Sequence, residues 1–171
     1  MRKVVSNTTP LIALADIGHL DLLQKLYGEI LIPEAVLNEI KTEPAKTVVN
    51  NSSWIKVKKI KKNDEKSLFR AKLHAGEVEV MILADEMNAD LLLMDDNAAK
   101  KTAKFLGMTV TGTLGILIRA KREGYIPAVR PLLDALMTDG LYISDAVRDY
   151  VLEAAGEGKK ISAKDEEKQI K

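Results

Sequence analysis

The chain has 171 residues, enough for one domain with a core of its own. Its 26 Lys and Arg against 25 Asp and Glu leave a formal charge of +1, so a nucleic-acid partner would have to be met by local patches, not by net charge. The absence of cysteine excludes disulfides, thiolate metal sites and thiol catalysis. No run approaches the roughly 18 apolar residues of a membrane span. No small-residue cleavage site follows the basic pair Arg2 and Lys3, so no signal peptide is expected and a cytoplasmic location is.

In chain order, "KVVSN" (3–7) is a β-branched run closed by turn formers and reads as the first strand. "TTPLIALADIGHLDLLQKLYG" (8–28) places Leu11, Leu14, Ile17, Leu22, Leu23 and Leu26 at helical spacing. Thr9 reads as the N-cap, with Pro10 at the first helical position. Gly18 divides this stretch into two helices and Gly28 ends the second. "EILI" (29–32) is the second strand. "PEAVLNEI" (33–40) is a helix with Val36, Leu37 and Ile40 inward.

Residues 41–53 are polar and read as loop or weak helix, and "WIKVKKI" (54–60) alternates as a half-exposed strand. "DEKSLFRAKLHAG" (64–76) is a polar-faced helix ending at Gly76. "EVEVMILADEMNAD" (77–90) is a strongly apolar helix, and "LLLMD" (91–95) a fully buried strand. "DNAAKKTAKFLG" (96–107) is a helix stopped by Gly107, "MTVTG" (108–112) a strand, and "TLGILIRAKREG" (113–124) a helix stopped by Gly124. Two more helices are expected over 127–138 and 144–155. These boundaries give one domain, 1–156, and a charged, solvated tail, 157–171.

Strands alternating with helices predict parallel βαβ units and a three-layer α/β/α sandwich. Ligands in such folds bind beyond the carboxyl ends of the strands, where strand order reverses. That rule selects Asn7 after the first strand, and Asp95 and Asp96 after the buried one. Two unit charges about 4 Å apart repel by about 4 kcal/mol at an effective dielectric of 20, so adjacent aspartates at a strand end call for something positive. Glu39 borders the buried face of its helix, and Glu77 heads the apolar stripe of Val80, Met81 and Ala84. Each acid also has a purely structural reading. Glu77 can complement a helix dipole, Glu39 can be a solvated helix edge, and Asp96 can cap the next helix. An all-oxygen set in a chain with only two histidines selects Mg²⁺ or Mn²⁺ over zinc, and such ions at acidic clusters act on phosphodiesters.

"VVSNTTPLIAL", "LIPEAVLNEI", "LHAGEVEVMILADEMNADLLLMDD" and "LGMTVTGTLGIL", in this order and spacing over residues 4–156, resemble a PIN domain, near the VapC-like toxin ribonucleases and a neighbouring uncharacterised branch. The resemblance implies a Mg²⁺- or Mn²⁺-dependent endoribonuclease, often a homodimer and often inhibited by a small antitoxin protein. It carries the catalytic acids onto Glu39, Glu77 and Asp95. It carries the metal ligands onto Asn7, Glu39, Glu77 and Asp95, with Asp96 as an accessory. The hydroxyl neighbour of the first ligand falls on Thr8, a candidate for binding the substrate. Asn7 departs from the family, which usually has Asp there; it offers a neutral carbonyl oxygen, so metal affinity should be lower.

Thr113, at a strand-to-helix turn, can either contact a substrate phosphate or cap its helix. Lys100, just after the aspartates, is a candidate for the RNA backbone. The run "KVKKIKK" (56–62), with five lysines, either tracks a backbone or is a solvated face. Two other readings stand beside the nuclease. One is a PIN-like domain weakened in catalysis that binds RNA or a protein. The other is a flavodoxin-like protein, disfavoured by the 4% aromatic content. A phosphohydrolase with an aspartate nucleophile after the first strand is excluded by Asn7.

Overall fold

The computed structural model describes residues 2–61 and 75–158. The chain divides into two units, Met1–Thr113 and Leu114–Lys171. The first contains a five-stranded sheet, all of whose pairings are parallel, in the order β3-β2-β1-β4-β5. The strands are β1 (Val4–Ser6), β2 (Ile30–Pro33), β3 (Ile55–Lys58), β4 (Leu91–Leu93) and β5 (Val110–Thr111). Between them run α1 (Thr8–Asp16), α2 (Asp21–Tyr27), α3 (Glu34–Glu39), α4 (Ala45–Asn50), α5 (Ala75–Met87) and α6 (Asn97–Phe105). The helices flank the sheet in a three-layer α/β/α sandwich, as the alternation of strands and helices predicts.

The central strands explain their own sequences. Every residue of β1 and β4 is buried, because a parallel sheet covered by helices leaves neither face to water. That is why "LLL" is a continuous apolar run and not an alternating one. The edge strand β3 differs: Ile55 is buried, whereas Lys56, Val57 and Lys58 are exposed. Lysines on an edge discourage pairing with another chain. Helix α5 buries Val78, Val80, Met81, Ile82, Leu83 and Ala84, more than one face, and packs on β1, β2 and α3.

Two boundaries depart from the sequence expectation. Helix α1 starts at Thr8, with Asn7 as its N-cap and Pro10 inside the first turn, so Thr9 is not the cap. Pro is tolerated there because the first-turn amides have no intrahelical partner. The polar stretch 41–53, expected as loop or weak helix, contains the short helix α4, whose Ala45 and Val49 supply the inward face. Gly76 does not end a helix; it lies within α5, for a reason that the site makes plain. The remainder of the helix expected over 64–76 falls on residues 64–74, outside the described ones.

The described residues of the second unit form helices and their connections. They take in α7 (Thr113–Arg122) from Leu114 onward, then α8 (Arg130–Thr138) and α9 (Asp145–Ala154), the last capped by the Ser144 hydroxyl accepting from the Val147 amide. At the end of α9, Gly156 takes φ +75°, and the Glu157 amide reaches back to the Leu152 carbonyl at 2.7 Å. This turn places the Glu157 carboxylate on the N-terminus of α8, where it accepts from the amides of Val129 (2.6 Å) and Arg130 (3.1 Å). Lys121 of α7 pairs with the same carboxylate at 3.2 Å. Glu157, the first residue of the expected tail, is therefore an anchor within this unit. The rest of that tail, 159–171, lies outside the described residues. Among the described residues no helix is long and apolar enough to cross a membrane.

Candidate active site

Strand order sets where the site can be. From β1 the chain steps outward through β2 to β3, then crosses back to β4 on the other flank of β1. The switch point is thus the gap beyond the ends of β1 and β4, where diverging connections leave a crevice. Ser6 pairs with Leu93, and the Asn7 amide donates to the Leu93 carbonyl at 2.8 Å. Asn7 leaves β1 at the crevice and begins α1 in the same step. It is 6% exposed, and its side chain makes no capping hydrogen bond. Asn7 lines the open side of this crevice.

That open side is a cleft of about 280 Å³ lined by Asn7, Thr8, Thr9, Glu39 and Glu77. Glu39, the last residue of α3, is held from two directions. The Thr8 hydroxyl donates to its Oε2 at 2.7 Å and the Gly76 amide to its Oε1 at 2.9 Å. The carboxylate therefore sits on the N-terminus of α5, where unpaired amides and the helix dipole favour negative charge. This contact explains Gly76. A Cβ there would lie 2.5 and 2.7 Å from the two Glu39 oxygens, so only glycine admits the carboxylate. Glu77 follows in the first turn of α5, 6% exposed. Its place at the head of the apolar stripe turns it inward, as the spacing predicts.

Asp95 and Asp96 face different partners, which resolves the repulsion noted above. Asp95 accepts from the Thr113 amide (2.8 Å) with Oδ1 and from the Thr113 hydroxyl (2.7 Å) with Oδ2, at the start of α7. Asp96 is the N-cap of α6, its Oδ2 accepting from the Ala99 amide at 2.9 Å. What meets the two charges is a pair of helix N-termini. The expected convergence of Glu39, Glu77 and Asp95 is not formed: among the described residues no three acidic or histidine side chains make a ready metal cage. Glu39 and Glu77 share the cleft with Asn7, whereas Asp95 is bound to Thr113.

The other candidates are placed as follows. Thr8 is buried and spends its hydroxyl on Glu39; Thr113 is 1% exposed and spends its hydroxyl on Asp95. Both orient carboxylates. Lys100 stands beside Asp95: a Cβ on Gly112 would lie 2.6 Å from Asp95 Oδ1 and 2.8 Å from Lys100 Nζ. Of the lysine run, Lys58, Lys59 and Lys61 border a separate cavity of about 520 Å³ together with Asp85 and Glu86, and Lys62 is outside the described residues. Sequence reasoning missed Gly76 and Gly112. The available signal was a glycine immediately before a polar helix start, in "AGE" and "TGT", where a glycine after an apolar run would have meant a stop.

The donors fit a hard divalent cation in kind. The cleft offers carboxylate oxygens from Glu39 and Glu77 and the uncapped amide of the buried Asn7. Among known proteins, the family model DUF3368, described as a PIN domain, matches residues 3–157. No curated protein and no solved structure matches the chain significantly.

Proposed function

The chain belongs to the PIN-domain family, whose members are generally nucleases, and on that footing we propose that it is a Mg²⁺- or Mn²⁺-dependent endoribonuclease hydrolysing RNA phosphodiester bonds. The observation that carries this reading is the cleft beyond the end of β1, which Glu39 and Glu77 line together with Asn7, whose side chain makes no capping hydrogen bond. Asn7, Glu39 and Glu77 would hold the ion, with Asp95 nearby on the neighbouring strand end. The chemistry such an ion would supply is activation of water and stabilisation of the leaving oxygen.

The chain's own residues supply the rest. Thr8 and the Gly76 amide hold the Glu39 carboxylate in one orientation, which fixes where its negative charge stands. Glu77 is buried at the cleft wall, where its charge is poorly screened by solvent. Thr113 holds Asp95 in the same way, and Lys100 beside it supplies the positive charge that a scissile phosphate would meet. Cleavage forms a bond from water oxygen to phosphorus and breaks the bond from phosphorus to the leaving ribose oxygen. Asp96, exposed and capping α6, takes no direct part. The same reading extends to a toxin restrained by a small antitoxin and acting as a homodimer, which the resemblance to the VapC-like ribonucleases supports.

Asn7 supports a second reading, a PIN-like module with weakened catalysis that binds RNA or a protein, because it removes one negative charge from the cleft. A ribonuclease assay separates the two. Cleavage that requires Mn²⁺, stops with EDTA and is lost in Glu77→Gln supports the enzyme. RNA binding without cleavage at any metal concentration supports the module.

A further inference from the structure

We propose that the outer face of α6 is a binding track for single-stranded RNA, with Lys101 and Lys104 on phosphates and the Phe105 ring stacked on a base flanking the cut. The inference rests on the ribonuclease reading above and assigns the surface that holds its substrate outside the cleft. Phe105 is 90% exposed, and Leu106 beside it 44%. Single exposed apolar residues are ordinary on protein surfaces; the surroundings of this one are not.

Helix α6, "NAAKKTAKF", has three lysines and no acid within it. Ala99 and Ala103 are fully buried and fix its inward side. At 3.6 residues per turn, Lys101, Lys104 and Phe105 fall within an arc of about 100° on the opposite side. Lys101, Lys104 and Phe105 are all exposed. Lys100 lies next to Lys104 on the helix surface, and its ammonium stands beside Asp95 over Gly112. The track thus begins at the site and runs outward about 7.5 Å along the helix axis to Phe105.

Cations that follow a backbone, interrupted by an aromatic ring open to solvent, are what single-stranded nucleic acid needs. Every base has a face to stack, and a duplex keeps its faces covered. Lysine is depleted at protein–protein interfaces, which argues against a protein on this face. The lysine run on the edge strand is a poorer candidate. Its Lys58, Lys59 and Lys61 share their cavity with Asp85 and Glu86, and the Lys61 amide donates to Glu86 at 2.7 Å.

The test is a fluorescence-anisotropy titration of the full chain with a labelled single-stranded oligoribonucleotide in EDTA, where binding is read without cleavage. The wild type should bind it at least tenfold more tightly than a duplex of the same sequence. Phe105→Ala should weaken single-strand binding about tenfold, and Phe105→Trp should retain it. Lys101→Gln and Lys104→Gln should each lower the salt slope by about one. A thermal melt will show Phe105→Ala folded, since the ring packs on almost nothing. Single-strand binding unchanged in Phe105→Ala overturns the proposal and leaves the ring to a protein partner. A wild type that binds no RNA overturns it too, and the metal-dependent cleavage assay then decides the ribonuclease reading on its own.

Discussion

Asn7 is where the cleft departs from the family pattern, and its role can be read from a single substitution. Asn7→Asp adds a carboxylate beside Glu39 and Glu77 in the same cleft. Asp and Asn are equally good N-caps, so the start of α1 is unaffected. The metal-free variant should melt at a lower temperature, because a third like charge enters the cleft. Calorimetric titration should show Mn²⁺ binding severalfold tighter, since each 1.4 kcal/mol is a factor of ten. Unchanged affinity would remove Asn7 from the proposed metal site. The two aspartates after β4 make a second comparison. Asp96→Asn keeps the cap on Ala99 and should alter stability by less than about 0.5 kcal/mol. Asp95→Asn faces a donor pair with an amide that accepts only through one oxygen. Hydrogen bonds to a charged group are worth about 1.5–3 kcal/mol, so urea melts should show a loss of that order, together with lost cleavage. Charge relief alone would have predicted a gain; the Thr113 contacts reverse the sign.

At the level of helices, carboxylates repeatedly meet N-termini: Glu39 at α5, Asp96 at α6, Asp95 at α7 and Glu157 at α8. Gly76→Ala tests the first. An ordinary helical Gly→Ala change stabilises by about 1 kcal/mol. Here the new Cβ would meet Glu39 Oε1 at 2.5 Å, so the carboxylate must shift from its place on the α5 terminus. Activity should fall at least tenfold, and the usual gain in stability should be absent. A fully active, more stable Gly76→Ala would show that Glu39 does not need this approach. Glu157 gives a pH signature in the second unit. Burial raises its pKa, but the Val129 and Arg130 amides and Lys121 outweigh that and hold it below the ordinary glutamate range. A depressed acid contributes stability above its unfolded pKa, about 4.3, and loses it as pH falls through the folded value. Glu157→Gln should therefore lower the melting temperature at pH 7. The difference from wild type should close as the solution is made more acidic.

For the molecule as a whole, the proposed metal is a ligand of the native state only. At about 100 times its dissociation constant it adds roughly 2.7 kcal/mol, or about 5–10 °C in melting temperature for a chain of this size. Superimposable melts in millimolar Mn²⁺ and in EDTA, with no heat of binding, would end the metal proposal. Much of this protein was legible before its fold was seen. The alternation of β-branched runs with helical periodicity predicted a parallel α/β sandwich, and the unbroken "LLL" predicted a buried central strand. Gly18, Gly28, Gly107 and Gly124 were read as helix stops, and each takes positive φ. The position of Asp96 before a helix offers a cap, and it is one. These features are local, decided by neighbours within about one helical turn or along one strand, so sequence order carries them. The site is not local. Thr8 meets Glu39 across 31 positions, Gly76 meets Glu39 across 37, and Asp95 meets Thr113 across 18. The glycine before Glu77 looked like a stop because a missing side chain reads the same whether the chain must turn or a carboxylate must pass. Only the strand order and register, which bring β1, β4 and the N-termini of α5 and α7 to one edge of the sheet, decide between those meanings, because a hydrogen bond of 2.7–2.9 Å depends on where two distant backbones lie in space.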